Sequence, residues 1–318
     1  MSLSDTSRFM ISGFAQGTTY NVSYYSSTQK IDANEIDSIF RVIDESMSIY
    51  NKNSLISQFN HVATSSIQMD RHMAKVLRKS EKIYKKTKGY FDVTIYPLME
   101  IWGFGIHGVK FNPNPSQLDS VKKVVGFDKI KIKKNRLSKL YPGVAIDLNG
   151  IAQGYTVDVI SSFLINRGIK SFIVEVGGEI FTSGVKPNNQ LYKIEIQRPF
   201  QHGDENYQVV LRNQAITTSG SYEKYRFIKG ERVSHHINPF TGYPIKNSTL
   251  SVTVIANTAM EADALDNYLM YLSPMDAISF VEKCKNVEVY LLYDENNTIK
   301  ELQSSGFNNY IYKNNQPL

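Results

Sequence analysis

The chain has 318 residues, of which 42% are hydrophobic and 21% are charged, a composition typical of a globular protein with a large core. Its net charge of +6 suits a polyanionic ligand, but the basic residues are scattered along the sequence, which does not favour a nucleic-acid-binding protein. The single cysteine, Cys284, excludes a disulfide framework and a thiolate metal site, and no apolar run approaches the roughly 20 residues of a membrane-spanning helix.

The predicted elements of the first half are one strand, two helices and a further strand. Thr18–Ser26 alternates polar and apolar residues like a strand. The apolar spacing of Asp32–Tyr50 and of Met73–Gly89 predicts two helices, the second of which stops at its glycine. The alternating KIKIKK stretch, Lys129–Lys134, predicts an exposed edge strand.

The second half begins with a predicted helix and continues mainly with strands. Ile151–Gly168 has helical spacing and a glycine stop. Predicted strands follow at Ser171–Val176, Tyr192–Gln197, Tyr207–Arg212 and Ser251–Ala256. Long helices joined to hairpin-rich strands, rather than regular βαβ alternation, predict an α+β fold. No repeat or linker divides the chain, so residues 13–318 are interpreted as one domain and residues 1–12 as a leader or an added segment.

Three acidic residues gather in the stretch NTAMEADALDNYLMYL, which follows the last of these strands. Glu261 is explained without a functional role, because it forms a capping-box pattern with Thr258. Asp263, Asp266 and Asn267 are spaced by three and four residues and so share one helical stripe, where two carboxylates repel each other. Two interpretations stay open here: a solvated acidic face, or oxygen ligands for a hard cation such as Mg²⁺.

The stretch AIDLNGIAQGY predicts the end of a strand, carrying Asp147, and then a helix that starts near Asn149 and Gly150. A helix N-terminus favours a phosphate group, because its N–H groups are unpaired and its dipole is positive there. Asp147 suits a ribose or adenine donor or the outer shell of a metal. An N-cap followed by a tight turn is the structural alternative.

The stretch VEVGGEIFTSG interrupts a strand with Gly177 and Gly178. Paired glycines allow a left-handed turn or the close approach of a ligand to the backbone, and a hairpin is the favoured interpretation.

Aromatic residues are dense in GYFDVTIYPLMEIWGFG, where Asp92 follows a helix stop. Phe91, Tyr96, Trp102 and Phe104 could stack on a flavin or purine ring, but such a density of aromatic residues more often belongs to a core.

Adjacent histidines occur in VSHHINPFTGYP, downstream of the hydroxyl-rich segment TTSGSYEKY. Histidine titrates near neutral pH and can accept a proton from a hydroxyl nucleophile. Neighbours on an extended segment face opposite ways, so at most one of His235 and His236 is expected to act as such a base.

Together, seven segments resemble the ApbE family, the FAD:protein FMN transferases, in the order found in that family. The resemblance spans about residues 13–285 and rests on GTTYNVSYY, GYFDVTIYPLMEIWGFG, AIDLNGIAQGY, VEVGGEIFTSG, TTSGSYEKY, SHHINPFTGYP and AMEADALDN. It implies an α+β, partly T-fold-like architecture of two interwoven lobes, with FAD bound between them.

The resemblance also implies an activity. A Ser or Thr hydroxyl of an acceptor protein would attack the FMN phosphorus of FAD with the help of Mg²⁺, and AMP would be released. The implied acceptor is a subunit of a membrane redox complex, and nucleic acid is not an expected partner. The implied location is extracytoplasmic: the periplasm or the outer face of the membrane, often with a lipid anchor. The alternatives are a Mg²⁺-dependent FAD pyrophosphatase that uses water and a FAD-binding protein without turnover.

The residues that match the family's motifs are expected to form its site. The implied metal ligands are Asp263, Asp266 or Asn267 one turn further on, and the backbone carbonyl of Gly150. The implied FAD contacts are Gln16, Gly17, Tyr50, Tyr90, Phe91, Asp92, Asp147, Gln153 and the stretch His235, His236 and Ile237. His235 or His236 is the implied general base.

Four positions depart from the family's usual residues. Asn267 stands where Thr is usual, Gln16 where Met is usual, Gln153 where Lys or Glu is common, and Asn238 where Asp usually precedes Pro239. The resemblance still implies activity, because an Asn carbonyl oxygen can ligate Mg²⁺.

Overall fold

The computed structural model describes residues 6–108, 112–198, 207–221, 225–228 and 231–313. The helices are α1 (Ala33–Met47), α2 (Leu55–Asn60), α3 (Arg71–Lys86), α4 (Tyr96–Ile101), α5 (Pro115–Lys122), α6 (Asn149–Asn166), α7 (Ala259–Leu269) and α8 (Pro274–Val281). The strands are β1 (Ser7–Ala15), β2 (Thr18–Ser26), β3 (Ser66–Gln68), β4 (Ile130–Lys133), β5 (Arg136–Lys139), β6 (Ser171–Val176), β7 (Glu179–Ser183), β8 (Tyr192–Ile196), β9 (Tyr207–Leu211), β10 (Ala215–Gly220), β11 (Tyr225–Ile228), β12 (Glu231–Ser234), β13 (Thr249–Ala256), β14 (Glu288–Glu295) and β15 (Thr298–Gln303). Among the described helices, none combines the length and the apolar character that crossing a bilayer requires. The predicted α+β class is confirmed.

Two compact units share the chain, and neither is continuous in sequence. Unit 1 draws on Met1–Phe40, Gln153–Ser219 and Ser248–Leu318, and unit 2 on Arg41–Ala152 and Gly220–Asn247. The division falls within α1 and near the start of α6, so no single cut of the chain separates the two units.

Unit 1 is built on an eight-stranded sheet with the order β1-β2-β6-β7-β10-β13-β14-β15. Two-residue turns set the register of two of its hairpins: Gln16 and Gly17 join β1 to β2, and Gly177 and Gly178 join β6 to β7. All four turn residues have positive φ, the conformation in which the twist of the turn matches that of the strands. The predicted glycine hairpin is therefore confirmed.

Alternation along the strands gives this sheet two apolar faces. Phe172 and Val174 of β6 belong to a buried cluster that includes Ile160 of α6. Ile173, between them, packs against a second cluster that contains Val209 of β9. Both faces of the sheet are thus covered, which fixes the position of the helix and strand ends that carry the site.

The sequence-based boundary after residue 12 does not coincide with the start of the fold. β1 pairs with β2 from Ser7, opposite Ser26, to Ala15, opposite Thr18, so residues 7–12 belong to the sheet. The first five residues lie outside the described part. β1 was missed because it is an edge strand whose side chains are mostly exposed, which leaves no regular hydrophobic alternation to recognise.

Unit 2 contains α2 to α5, a β11-β12 hairpin and a three-stranded sheet with the order β3-β5-β4. β4 lies at the edge of that sheet, which confirms the edge strand predicted from KIKIKK. α3 begins at Arg71 because the Asp70 side chain caps the Met73 N–H, and Gly89 adopts positive φ shortly after its end.

The strand predicted to end at Asp147 is wrong. The residues from 144 to 148 form no strand, and their backbone pairs with a side chain: the Asn60 amide donates to the Ile146 carbonyl and accepts from the Ile146 N–H, each over 2.8 Å. The Asp147 N–H donates to the Val93 carbonyl over 2.7 Å. A side-chain amide thus takes the place of a neighbouring strand, and nothing in the local sequence indicates this.

Candidate active site

Asp263 and Asp266 are buried side by side on α7, with 3% and 1% of each residue exposed. The interpretation as a solvated acidic face is therefore wrong. Burying two carboxylates next to each other costs free energy unless hydrogen bonds and an opposite charge compensate. The contacts of the pair show which compensation this chain provides.

Three donors from different segments reach the pair. The Gly154 N–H of α6 donates to Oδ2 of Asp263 over 2.8 Å, and the Ser219 hydroxyl donates to Oδ1 of Asp266 over 2.9 Å. The Asn267 amide nitrogen lies 3.3 Å from an oxygen of each carboxylate. A flip of that amide would turn its oxygen towards the same position, because the two ends of an Asn side chain have the same shape.

The pKa of Asp266 is raised well above its ordinary value. Burial is the main cause, and the negative charge of Asp263 adds to it. Hydrogen bonds from the Ser219 hydroxyl and from the backbone N–H of Asn267 oppose the rise without cancelling it. The pair is therefore a place where a positive charge would be favoured.

The chemistry of the donors fits a hard divalent cation. In the described part of the chain, no group of three or more His, Cys, Asp or Glu side chains could hold a metal ion. A metal at Asp263 and Asp266 would therefore complete its shell with amide, hydroxyl or carbonyl oxygens and water, which is the coordination typical of Mg²⁺ and not of Zn²⁺. The predicted ligands Asp263, Asp266 and Asn267 are together in unit 1, and all three suit this role.

α7 is anchored to α6 by contacts that the sequence did not indicate. Asp158 of α6 accepts hydrogen bonds from the N–H groups of Ala259 and Met260, at 2.8 and 3.1 Å, and so caps the start of α7. Gly150, a predicted carbonyl ligand, has non-helical angles near the start of α6 and marks a kink there. The hydrogen bonds of Asp158 join residues about a hundred positions apart, so only the fold could identify them.

Gln153, a predicted FAD contact, lies against the Gly177 turn in unit 1. The Gln153 amide donates to the Val176 carbonyl over 3.0 Å, directly before that turn. A Cβ on Gly177 would lie 2.0 Å from this amide and 2.7 Å from Thr18, the residue after Gly17. The side chains of Gln153 and Thr18 therefore both lie against a position where only a glycine fits.

In unit 2, Tyr50 and Asp147, two of the predicted FAD contacts, are neighbours. The Asn149 N–H donates to Oδ1 of Asp147 over 2.8 Å. Partial burial of the Tyr50 hydroxyl, and then the charge of Asp147, raise the pKa of Tyr50, although 70% of Tyr50 is exposed. Tyr96, which the sequence indicated only as an aromatic residue, belongs to the same group: its pKa is raised by burial, by Glu100 and also by Asp147 and Tyr50.

His235 and His236 do not face opposite ways. Their ring centres are 4.0 Å apart, because the chain bends after β12 and does not continue as an extended strand. His236 is buried, and Oγ of Ser234 lies 3.0 Å from its Nδ1. His235 is half-buried and packs edge-on towards Phe104. Both rings thus contribute to one small cluster.

The carboxylate of Asp92 has a local structural role. It accepts hydrogen bonds from the N–H and the hydroxyl of Thr94, at 2.8 and 2.6 Å, and caps a short 3-10 helix. Burial raises the pKa of Asp92 to about 6, with the hydrogen bonds of Thr94 acting against that rise. Any contact of this residue with FAD stays a prediction.

Phe91 and Ile237, two further predicted FAD contacts, have buried side chains. Ile237 belongs to a core cluster with Leu98 and Trp102, so only its backbone remains for a ligand. Tyr90 is half-buried and meets the exposed ring of Phe240 edge-on at 5.1 Å. Core packing, the interpretation favoured for the aromatic segment, thus holds for Phe91 and Trp102.

The α+β fold, shared with solved structures over nearly its whole length, assigns the chain to a class of transferase enzymes. The flavin transferase ApbE from Vibrio cholerae matches with a TM-score of 0.86 and 30% identity, over 96% of this chain and 99% of that one. The flavinyl transferase ApbE from Pseudomonas stutzeri matches with a TM-score of 0.88 and 27% identity, over 97% and 98%.

Sequence comparison gives the same assignment. The model of the ApbE family matches residues 16–291. The FAD:protein FMN transferase of Haemophilus influenzae is 35% identical over 317 residues, which cover 95% of this chain and 91% of that protein. The chain therefore belongs to the ApbE family, and the predicted family and enzyme class are confirmed.

Proposed function

We propose that this protein transfers the FMN part of FAD to a Ser or Thr hydroxyl of an acceptor protein, with Mg²⁺, and releases AMP. The buried pair Asp263 and Asp266, in a chain of the ApbE family, is the observation that carries the proposal. Relatives of this chain are named FAD:protein FMN transferase. FAD is thus proposed as a substrate and not as a resident cofactor.

Asp263 and Asp266 would hold the metal, with Asn267 as a further oxygen ligand after an amide flip. Bound Mg²⁺ would neutralise phosphate charge and polarise the phosphoanhydride bond. The chain supports such a site through Gly154 and Ser219, whose hydrogen bonds fix the direction of the two carboxylates. The carbonyl of Gly150 stays a prediction from the family resemblance.

The proposed reaction forms one bond and breaks one. The acceptor oxygen bonds to the FMN phosphorus, the phosphoanhydride P–O bond breaks, AMP leaves with the bonding electrons, and the hydroxyl proton passes to a base. His235 or His236 is the proposed base. The contact with Ser234 orients the ring of His236, and the half-buried His235 keeps access to solvent.

The FAD contacts proposed for unit 1 are Gln16 and Gly17 of the β1–β2 turn and Gln153, which lies against the Gly177 turn. Those proposed for unit 2 are Tyr50, Tyr90 and Asp147, together with the backbone of the His235–Ile237 stretch. In each unit, the proposal rests on the matching motif and on the local grouping of these residues.

The test is to incubate the protein with FAD and Mg²⁺, with and without an acceptor peptide of the Asp-Gly-x-Ser/Thr-Gly-Ala-Thr type. AMP release and peptide-bound flavin fluorescence are measured together. AMP that equals labelled peptide establishes the transferase. AMP with free FMN would identify a pyrophosphatase, and bound FAD without AMP in either sample would identify a flavin-binding protein.

Variants in the same assay test the assigned roles. Asp263→Ala is expected to abolish AMP release while FAD binding, measured by fluorescence quenching, is retained. His235→Gln and His236→Gln are expected to separate the base from its neighbour, because loss of a general base lowers the rate by about 10²–10⁴. Wild-type activity in both variants would exclude the histidine pair as the base.

For the location we propose the outer side of the cytoplasmic membrane or the periplasm, with a lipid anchor in the full-length protein and an acceptor subunit of a membrane redox complex as partner. The support is the family resemblance. Fractionation of cells that express the full-length gene product tests the location, and recovery in the cytoplasm would contradict it.

A further inference from the structure

The solvent-facing side of α3 in unit 2 is a basic ridge. Its exposed residues are Arg71, Lys75, Arg78, Lys82, Lys85 and Lys86. From Arg71 to Lys85 they follow one another at intervals of three and four residues, and Lys86 lies four residues after Lys82, so they line one side of the helix. Within this fully described helix, Glu81 is the one acidic residue, and it pairs with Lys85 over 2.6 Å.

The outer face of the β3-β5-β4 sheet continues this basic character. The register sets Lys133 opposite Arg136 and Lys131 opposite Ser138, so their side chains share one face. That face is exposed, whereas Leu137 on the other face is fully buried. The three described strands contain no acidic residue.

One side chain joins the helix to the sheet. Arg78 donates to the carbonyl of Lys134 and to Oδ1 of Asn135, in the turn between β4 and β5, each over 3.0 Å. The ridge of α3 and the outer face of this sheet, here called the basic surface, are therefore held to each other within unit 2.

The basic residues that are scattered in sequence are thus concentrated in the fold. The segments of unit 2 contain two thirds of the 36 Lys and Arg residues and little more than a third of the 30 Asp and Glu residues. Like charges three and four residues apart destabilise a helix. A surface of opposite charge would relieve this repulsion.

Exposed apolar side chains lie at one end of the same sheet. Leu140 and Tyr141 directly follow β5, and they are 54% and 52% exposed. Val62, 65% exposed, follows His61, whose carbonyl accepts a hydrogen bond from Lys139 of β5. Basic residues beside exposed aliphatic and aromatic side chains are the combination that binds a lipid interface.

We propose that the basic surface of unit 2 docks on an anionic lipid bilayer. Its positive charges are mainly lysines, which attract a diffuse negative surface, whereas arginine is preferred for bidentate phosphate contacts of the kind that nucleic acids offer. The exposed side chains of Val62, Leu140 and Tyr141 would enter the headgroup region while the lysines remain at the phosphates. This inference concerns a surface and does not depend on the proposed reaction.

The experiment measures co-sedimentation of the whole protein with phosphatidylcholine vesicles, with and without phosphatidylglycerol. The triple variant Lys82→Gln, Lys131→Gln and Lys133→Gln removes three exposed charges from the basic surface. The matched control Lys170→Gln, Lys283→Gln and Lys285→Gln removes three exposed charges from unit 1. Circular dichroism and thermal melting establish that both variants fold.

The wild type and the control are expected to bind vesicles that contain phosphatidylglycerol, and not pure phosphatidylcholine. The triple variant is expected to bind about a hundredfold more weakly, because each lysine near an anionic bilayer contributes roughly fivefold. Binding should fall steeply between about 0.1 M and 1 M salt. Replacing Val62 and Leu140 by Ser is expected to weaken binding further without changing the salt dependence.

Three results would overturn the inference. One is equal loss of binding in the triple variant and in the control, and another is equal binding to neutral and anionic vesicles. The third is tighter binding to duplex DNA than to anionic vesicles under the same salt conditions, which would assign the surface to nucleic acid.

Discussion

The backbone N–H of Gly154 donates to Oδ2 of Asp263 over 2.8 Å, and this contact requires a residue without a side chain at position 154. A Cβ there would lie 2.3 Å from the carbonyl oxygen of Ala259 and 2.8 Å from the Cβ of Asp263. α6 and α7 therefore touch through their backbones, and the position of the acidic pair depends on that approach.

Gly154→Ala is expected to push the two helices apart and to lower the free energy of unfolding by about 1–3 kcal/mol, the usual cost of overpacking. It should also abolish any gain in Tm with Mg²⁺. Thermal melting with and without Mg²⁺ measures both effects. Ser162→Ala, on the exposed side of the same helix, is the control and should change stability by less than about 0.5 kcal/mol. A variant at residue 154 that melts like the wild type would contradict the tight contact.

Asp266→Asn removes one of two neighbouring buried charges. Without metal, the variant is expected to be more stable than the wild type at neutral pH by about 1–3 kcal/mol, because the cost of burying this carboxyl in its charged form and its repulsion from Asp263 are both lost. With Mg²⁺, the wild type should gain stability and the variant should not, since a ligand that binds only the folded state raises Tm.

Glu261→Gln is the control for this comparison, because it removes a charge from the same helix at its half-buried first turn. It should keep the response to Mg²⁺. If Asp266→Asn responded to Mg²⁺ as strongly as the wild type, the acidic pair would not be the metal site.

Asn267→Asp places a third carboxylate beside the pair. The metal-free variant should be less stable than the wild type because like charges are brought together, whereas its affinity for Mg²⁺ should rise about tenfold or more. Isothermal titration calorimetry measures the affinity. Asn267→Leu, which has no ligand oxygen, should bind Mg²⁺ more weakly than the wild type. An affinity that is the same in all three proteins would show that this residue is not a ligand.

Asp92→Asn tests the effect of a buried carboxyl on the pH dependence of stability. Burial raises the pKa of Asp92 from 3.8 to about 6, so the folded protein binds more protons here than the unfolded chain between these pH values. The free energy of unfolding of the wild type should therefore fall as pH rises through this window, by about 3 kcal/mol in total.

The variant lacks this loss and should be more stable than the wild type at pH 7 but not at pH 4. Urea denaturation across the window provides the measurement. Asp119→Asn, at an exposed carboxyl of α5, is the control and should keep the fall in stability across this window, because Asp92 is intact in it. Parallel curves for the wild type and Asp92→Asn would show that the carboxyl titrates normally.

Local patterns in the sequence predict those helices and strands whose buried face follows from the periodicity of their own residues. Thr18–Ser26 and Ser171–Val176 were predicted with the bounds that the structure gives. The stripe of Asp263, Asp266 and Asn267 was likewise predicted from spacing alone. Its burial was not, because the donors Gly154 and Ser219 lie 109 and 47 residues away from their acceptors.

Predictions failed where a distant group decides the local backbone. The segment around Ile146 pairs with the amide of Asn60, 86 residues earlier, and not with a strand, so its apolar composition wrongly indicates a strand. The histidine pair was placed on an extended segment, but the chain bends after β12 and brings the two rings together. Ser219, which donates to Asp266 of the acidic pair, belongs to the hydroxyl-rich segment TTSGSYEKY, and only the fold connects the two residues.

The order of strands in the large sheet also bears on how the chain is made. β14 and β15 close one side of the sheet and are synthesised last, so β13 remains an open edge until nearly the whole chain has left the ribosome. At about 5–20 residues per second, the stretch from the end of β13 at Ala256 to the end of β14 at Glu295 takes roughly 2–8 seconds to synthesise. Chains truncated before Thr298 would keep that edge or the edge of β14 uncovered, and they are expected to aggregate rather than fold.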